Sequence, residues 1–147
     1  MSHVRQQIRE AAATAITGLA TTGANVFQSR VYPVTNSKLP CLLIASIDEG
    51  SGYASLGYPR LMIRQLTLSI KAVAKATANL DDTLDRICLE AEIALAANVP
   101  LGGIAKNLSL TGTHIELDGD AETPVGVATM LWQADYYTTE TAPNVAL

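Results

Sequence analysis

Between residues 60 and 98 the spacing of apolar residues changes from two to about 3.6, and that change limits the fold more than any other feature. The run RLMIRQLTLSIKAVAKA, residues 60–76, alternates from Leu66 onward. Leu66, Leu68, Ile70 and Ala72 fall on one side, Thr67, Ser69 and Lys71 on the other. That is a long strand with one face for a core. The run NLDDTLDRICLEAEIALAAN, residues 79–98, puts Leu80, Leu84, Ile87, Cys88, Ala91 and Leu95 on one helical stripe. Asn79 is a suitable cap, Asp81, Asp82 and Asp85 lie near the positive end of the helix dipole, and Asn98 with Pro100 stops the helix. Before Leu66 the strand parity reverses: Leu61 and Ile63 are the apolar pair, while Arg60 and Arg64 share the Leu66 side. Either a bulge near Arg64 causes this, or the strand leaves the domain and packs its opposite side on another subunit.

The other elements are read the same way. Residues 2–20 predict an amphipathic helix, capped by Ser2, with Val4, Ile8, Ala11, Ala12, Ala15, Ile16 and Leu19 on one stripe. VFQSRVYP reads as an irregular or edge strand stopped by Pro33. PCLLIASI, residues 40–47, is apolar on both parities, as a strand covered on both faces would be. DEGSGYASLGYP, residues 48–59, reads as an extended loop, and LGG at 101–103 as a turn. Two closing strands, NLSLTGTHIEL and PVGVATMLWQADYY, follow, and the tail TTETAPNVAL is expected to be unanchored. The prediction is one α+β domain over residues 1–138 with a flexible tail over 139–147. Its sheet is mainly antiparallel, with four or five strands and two helices on one face. The last strand offers Val125, Val127 and Leu131 on one side and Met130, Trp132 and Tyr136 on the other, so the uncovered face is expected to meet copies of the chain or a partner.

Charge supports that expectation. Only 16% of the 147 residues are charged and 48% are hydrophobic, against about 25% charged in an ordinary soluble domain. Ten Lys and Arg face eight acids up to Lys106; beyond it come six acids and no base. The two ends could dock head to tail, or the acidic end simply aids solubility. A net charge of −4 speaks against general nucleic-acid affinity. Cys41 and Cys88 sit in apolar runs and are expected to be buried free thiols. No apolar run approaches the ~18 residues of a membrane span, and the N-terminal residues lack a signal-peptide core, so a soluble protein made in the cytoplasm is expected.

Four carboxylates crowd residues 116–122: Glu116, Asp118, Asp120 and Glu122. Neither the glycine position nor a terminal Glu fits a calcium loop. The stretch reads first as a solvated connection between strands, next as a surface for a basic partner, and last as a metal or catalytic site. His114 and Cys88 fit ordinary polar contact and packing better than base and nucleophile, and no nucleophile elbow or phosphate loop occurs. No catalytic residue, metal or cofactor is therefore assigned, and an enzyme is not expected. Tyr53 and Tyr58, in a glycine-rich loop beside Arg60 and Arg64, have the chemistry of contact residues; the other reading is that they tuck back onto the domain.

The order of these elements resembles the tail terminator (tail completion) proteins of long-tailed bacteriophages, of the lambda-like siphophage type. A first helix is followed by SRVYPV, the proline-led strand LPCLLIAS, a glycine- and tyrosine-bearing loop, LTLSIKAVAKA, and the helix LDDTLDRICLEAEIAL. LDGDAETPVGVATMLWQADYYT, with Trp132 and Tyr136, closes the pattern, which spans residues 4–138. The resemblance implies a virion structural protein, assembled in the host cytoplasm, that forms a homo-oligomeric ring, a hexamer in the family. Such a ring caps the tail tube, stops its polymerisation and joins the tail to head–tail connector proteins. Its partners would be itself, the tail tube protein, the connector, and DNA that passes without specific binding; no membrane is implied. Residues 48–60 and 116–124 would then line the lumen or the ring faces, and acids in a lumen would repel DNA phosphates. The alternatives are a neck, baseplate-hub, tail-tube or minor tail component, or a small cytoplasmic binding domain.

Overall fold

The computed structural model describes residues 2–28, 38–76, 78–97, 100–118 and 124–147. Two helices, α1 (Val4–Ala15) and α2 (Leu80–Ala96), accompany five strands: β1 (Val26–Phe27), β2 (Cys41–Tyr53), β3 (Leu61–Lys75), β4 (Asn107–Asp118) and β5 (Val125–Thr139). The strands form one sheet in the order β1-β2-β3-β5-β4. Among the described residues only the two-residue β1 is parallel to its neighbour, and the other pairings are antiparallel. The molecule is thus the expected α+β sandwich.

Register explains why both helices lie on one face. Leu66, Leu68, Ile70 and Ala72 of β3 stand opposite Ala134, Trp132, Met130 and Ala128 of β5. These residues share one core with Val4, Ile8, Ala12 and Ile16 of the α1 segment and with the whole predicted α2 stripe. In α1, Ala13 is buried where Ala15 had been expected. Gly126 gives α2 a close approach to β5: a Cβ there would lie 2.7 Å from Leu84 Cδ1 and 3.0 Å from Leu117 Cδ2, so those side-chain ends would have to shift. The double apolar parity of β2 also resolves: Leu42 and Ile44 enter the main core, while Cys41 and Leu43 join Val73 in a small cluster on the other face. The rest of that second face is mixed, with Ser69 buried and only Ile63 and Leu131 prominent among its exposed apolar residues.

Several local expectations are corrected. His3 caps α1 in place of Ser2, its Nδ1 accepting from the Arg5 N–H at 3.1 Å. Asn79 begins α2 in a left-handed conformation that Asn tolerates; its side chain makes no cap bond, and its carbonyl accepts from the Thr83 N–H instead. Asn98 and Ser29–Pro33 lie outside the described residues. β3 has no bulge near Arg64; the irregularity is in β2, between Ser46 and Asp48. Residues 48–53, expected in a loop, are strand, and β4 runs one residue beyond the expected NLSLTGTHIEL strand, to Asp118. The C-terminal segment is tied down: the Val4 N–H donates to the Pro143 carbonyl at 2.9 Å, the Leu147 N–H to that of Tyr137 at 3.0 Å, and Ala146 packs on the core. The segment supplies an acceptor that the first turn of α1 lacks within itself.

Candidate functional site: the tip of the β2–β3 hairpin

β2 and β3 pair from Cys41 opposite Val73 to Tyr53 opposite Met62. Along β2 burial falls from complete at residues 41–45 to open at 50–53, while β3 opposite stays paired with β5 and keeps Arg64 and Leu66 buried, so only the β2 side and the connecting tip stand open. The Ala54 N–H donates to the Leu61 carbonyl at 2.7 Å, and the Leu61 N–H to Ser55 Oγ at 2.9 Å, which closes the tip. There the Arg60 guanidinium lies between two rings, 3.9 Å from the Tyr53 centroid and 4.8 Å from that of Tyr58. Arg60 Nε donates to Glu140 at 2.8 Å, and the Glu140 N–H returns to the Arg60 carbonyl. Each cation–π contact contributes about 0.5–1 kcal/mol at an exposed site. The tyrosines do tuck back, onto Arg60 and not onto the core, and they stay exposed; Leu56 beside them is 93% exposed. The tip is a pre-ordered aromatic and apolar surface.

Arg64 does not belong to it. It points to the helix side and is buried within a polar cluster. Glu49, with a side chain only 7% exposed, accepts from Arg5 at 2.6 Å, from Arg64 at 3.3 Å, and from the Tyr136 hydroxyl. Arg64 Nε also donates to Thr138 Oγ1 at 3.1 Å. Burial, followed by the bond to Glu49, holds the Tyr136 phenol far above its ordinary range, so it remains a donor. This answers the parity question: Arg64 sits among apolar residues because an internal carboxylate meets it. Parity alone put Arg64 on the Leu66 side and Tyr136 on the Met130 side, although Arg64 had been expected as a contact residue. Glu49 was not legible, because the bulge at Ile47 moves the odd-numbered residues after it onto the helix side.

The acidic stretch lies elsewhere. Lys75 and Asp118 flank Val125 at the start of β5, and Leu61 stands opposite Thr139 at its end. At about 3.3 Å per residue the two ends of β5 are roughly 45 Å apart. Glu116 is exposed and bonded to His114 Nε2 at 3.0 Å; Asp118 ends β4, and Asp120 and Glu122 lie outside the described residues. Among the described residues no three His, Cys, Asp or Glu gather in a metal-binding group, and no helix is long and apolar enough to cross a membrane. Cys41 and Cys88 are free and buried, and burial pushes each thiol up to about 11. The sequence matches no protein-family model and no curated protein.

Proposed function

We propose that this chain is a ring-forming tail terminator of the long-tailed phage type. In this reading copies close into a ring that seats on the last ring of the tail tube, halts its growth and presents the opposite face to the head connector, with DNA passing through. The hairpin tip carries the proposal. Tyr53, Tyr58 and Arg60 are stacked in advance, so gripping a neighbouring protein orders little that is not already ordered. The apolar Leu56 stands fully in solvent beside them. The separation of this tip from the acidic end, along the length of β5, suits a subunit with two different working faces. A closed ring needs that, since each copy must offer one patch to a different patch on the next.

Loss of the protein from an infected host should give overlong tails; absent tails, or tails of normal length, would refute the reading. Replacing Tyr53, Tyr58 and Arg60 together by Ala should leave the monomer folded, at a cost of about 1–3 kcal/mol from the two cation–π contacts and the partly exposed Arg60–Glu140 pair. The same variant should fail to complete tails. Normal phage yield from it would reduce the tip to a connector. A tail-tube component would instead form long open stacks in the purified protein, which electron micrographs distinguish from rings.

A further inference from the structure

We propose that two copies of this chain pair through their β4 edges, antiparallel and about a two-fold axis at Ile115, with His114 of each copy opposite Glu116 of the other. The inference goes beyond the ring reading and does not rest on it. Among the described residues β4 pairs only with β5, so its outer side carries a row of backbone donors and acceptors without a strand partner. Lysine and proline, two usual defences of such an edge, are missing from Asn107–Asp118. The bulge in β4 lies between Leu110 and Gly112 and leaves the pairing from Gly112 to Asp118 regular. The core also stops short of this edge. Gly126, Ala128 and Met130 of β5 are buried on the helix side, yet Leu117, Ile115 and Thr113 beside them on β4 are exposed. Two of these are apolar, Ile115 at 43% and Leu117 at 52% exposure.

Symmetry and side-chain chemistry select the occupant and the register. Antiparallel addition of a second β4 puts a two-fold axis normal to the sheet, so side chains keep their own face and only residues of equal parity meet. The axis therefore passes between a residue and its own copy. Centred on Ile115, the register sets Ile115 against Ile115 and Thr113 against Leu117 on the helix side, which covers the apolar pair. On the other face it sets each imidazole opposite a carboxylate, twice over. A centre one residue earlier would oppose His114 to itself, and one residue later would bring two Glu116 carboxylates face to face, which is destabilising. Within one chain His114 Nε2 already lies 3.0 Å from Glu116 Oε1, with both side chains exposed. Across the axis the four groups alternate, donor beside acceptor. The same patch thus complements itself, as an isologous contact requires. One strand makes a small interface, so association belongs to high concentration.

Two variants test contact and register together. His114→Glu sets carboxylate against carboxylate at both pairs, and Glu116→Lys sets an ammonium against an imidazole. Both positions are exposed, and circular dichroism confirms that each chain folds. Hydrogen exchange at alternate amides between residues 113 and 117 should slow as the parent is concentrated, and sedimentation equilibrium should show copies associating in twos. Each variant alone should lose both effects. An equimolar mixture of the two should restore them, because every carboxylate then meets a base across the axis. Either variant associating as the parent does, a mixture that fails to recover, or exchange in the parent that ignores concentration would overturn the pairing. Replacing Tyr53, Tyr58 and Arg60 by Ala should leave the β4 exchange unchanged; its loss would move the contact to the hairpin tip. The ring reading is judged separately by tail length: overlong tails without β4 protection keep the ring and remove the edge contact, and the reverse result keeps the edge contact alone.

Discussion

Replacing Glu49 by Gln should destabilise the fold by about 3 kcal/mol, although the residue lies outside the hairpin tip. Gln keeps the side-chain length and an oxygen that can accept from Tyr136. What it removes is the negative charge facing two guanidinium groups. Arg5 is 41% exposed, and its share is that of a surface pair, about 0–1 kcal/mol. Arg64 is only 11% exposed, and a buried charge that loses its partner costs about 3–5 kcal/mol. Bonds from Arg64 to Thr138 Oγ1 and Met62 Sδ persist and place the loss at the lower end. For a chain of this size each kcal/mol moves Tm by roughly 2–4 °C, so Tm should fall by about 6–12 °C. Urea unfolding followed by far-UV circular dichroism measures the free energy. Adding Arg64→Met to Glu49→Gln should recover part of the loss, because no unpaired cation then remains inside. A loss below about 1 kcal/mol for Glu49→Gln would show that the pair behaves as a solvent-exposed one. Losses that simply add in the double variant would show no coupling, and either result defeats the argument.

Gly126→Ala should destabilise by about 1–2 kcal/mol in urea unfolding, since the new methyl must displace the ends of Leu84, Leu117 and Leu80; an unchanged midpoint would mean that α2 yields freely. A small pH dependence should come from His3. Burial, then the charges of Arg5 and Arg64, hold its imidazole below the ordinary 6.5, with Glu49 opposing them in part, and the neutral ring is the form that accepts the α1 cap bond. As pH falls the unfolded chain takes up this proton first. The contribution is therefore complete above about 6.5 and shrinks as pH drops from there toward the folded value. His3→Asn, which caps without titrating in that range, should flatten this part of the stability profile, and an identical slope in both chains would exclude His3 as its source.

How far a residue could be read depended on whether its neighbours along the chain were also its neighbours in space. The α2 stripe was legible residue by residue because a helix brings i, i+3 and i+4 together by its own geometry. The Tyr53, Tyr58 and Arg60 grouping was legible for a similar reason, since one hairpin tip holds all three. The Glu49 cluster joins α1, β2, β3 and β5, and no local spacing encodes such a meeting. Arg64 illustrates the consequence: beside Arg60 in the chain it read as a contact residue, yet its side chain points inward to a carboxylate fifteen positions away.

By itself the sequence determined the periods, and through them most of the element types, the α+β class and the faces of β3 and α2 that must be buried, while the buried face of β5 was left to the fold. These follow from chain geometry and the cost of leaving apolar surface in water. Tertiary structure alone decided the strand order β1-β2-β3-β5-β4, the bulge that turns Glu49 inward and the anchoring of the C-terminal segment on α1. It also decided which strands end up as edges. Each of these depends on hydrogen bonds between residues distant in the chain, where many pairings share the same local pattern and only the one that fills the common core is kept.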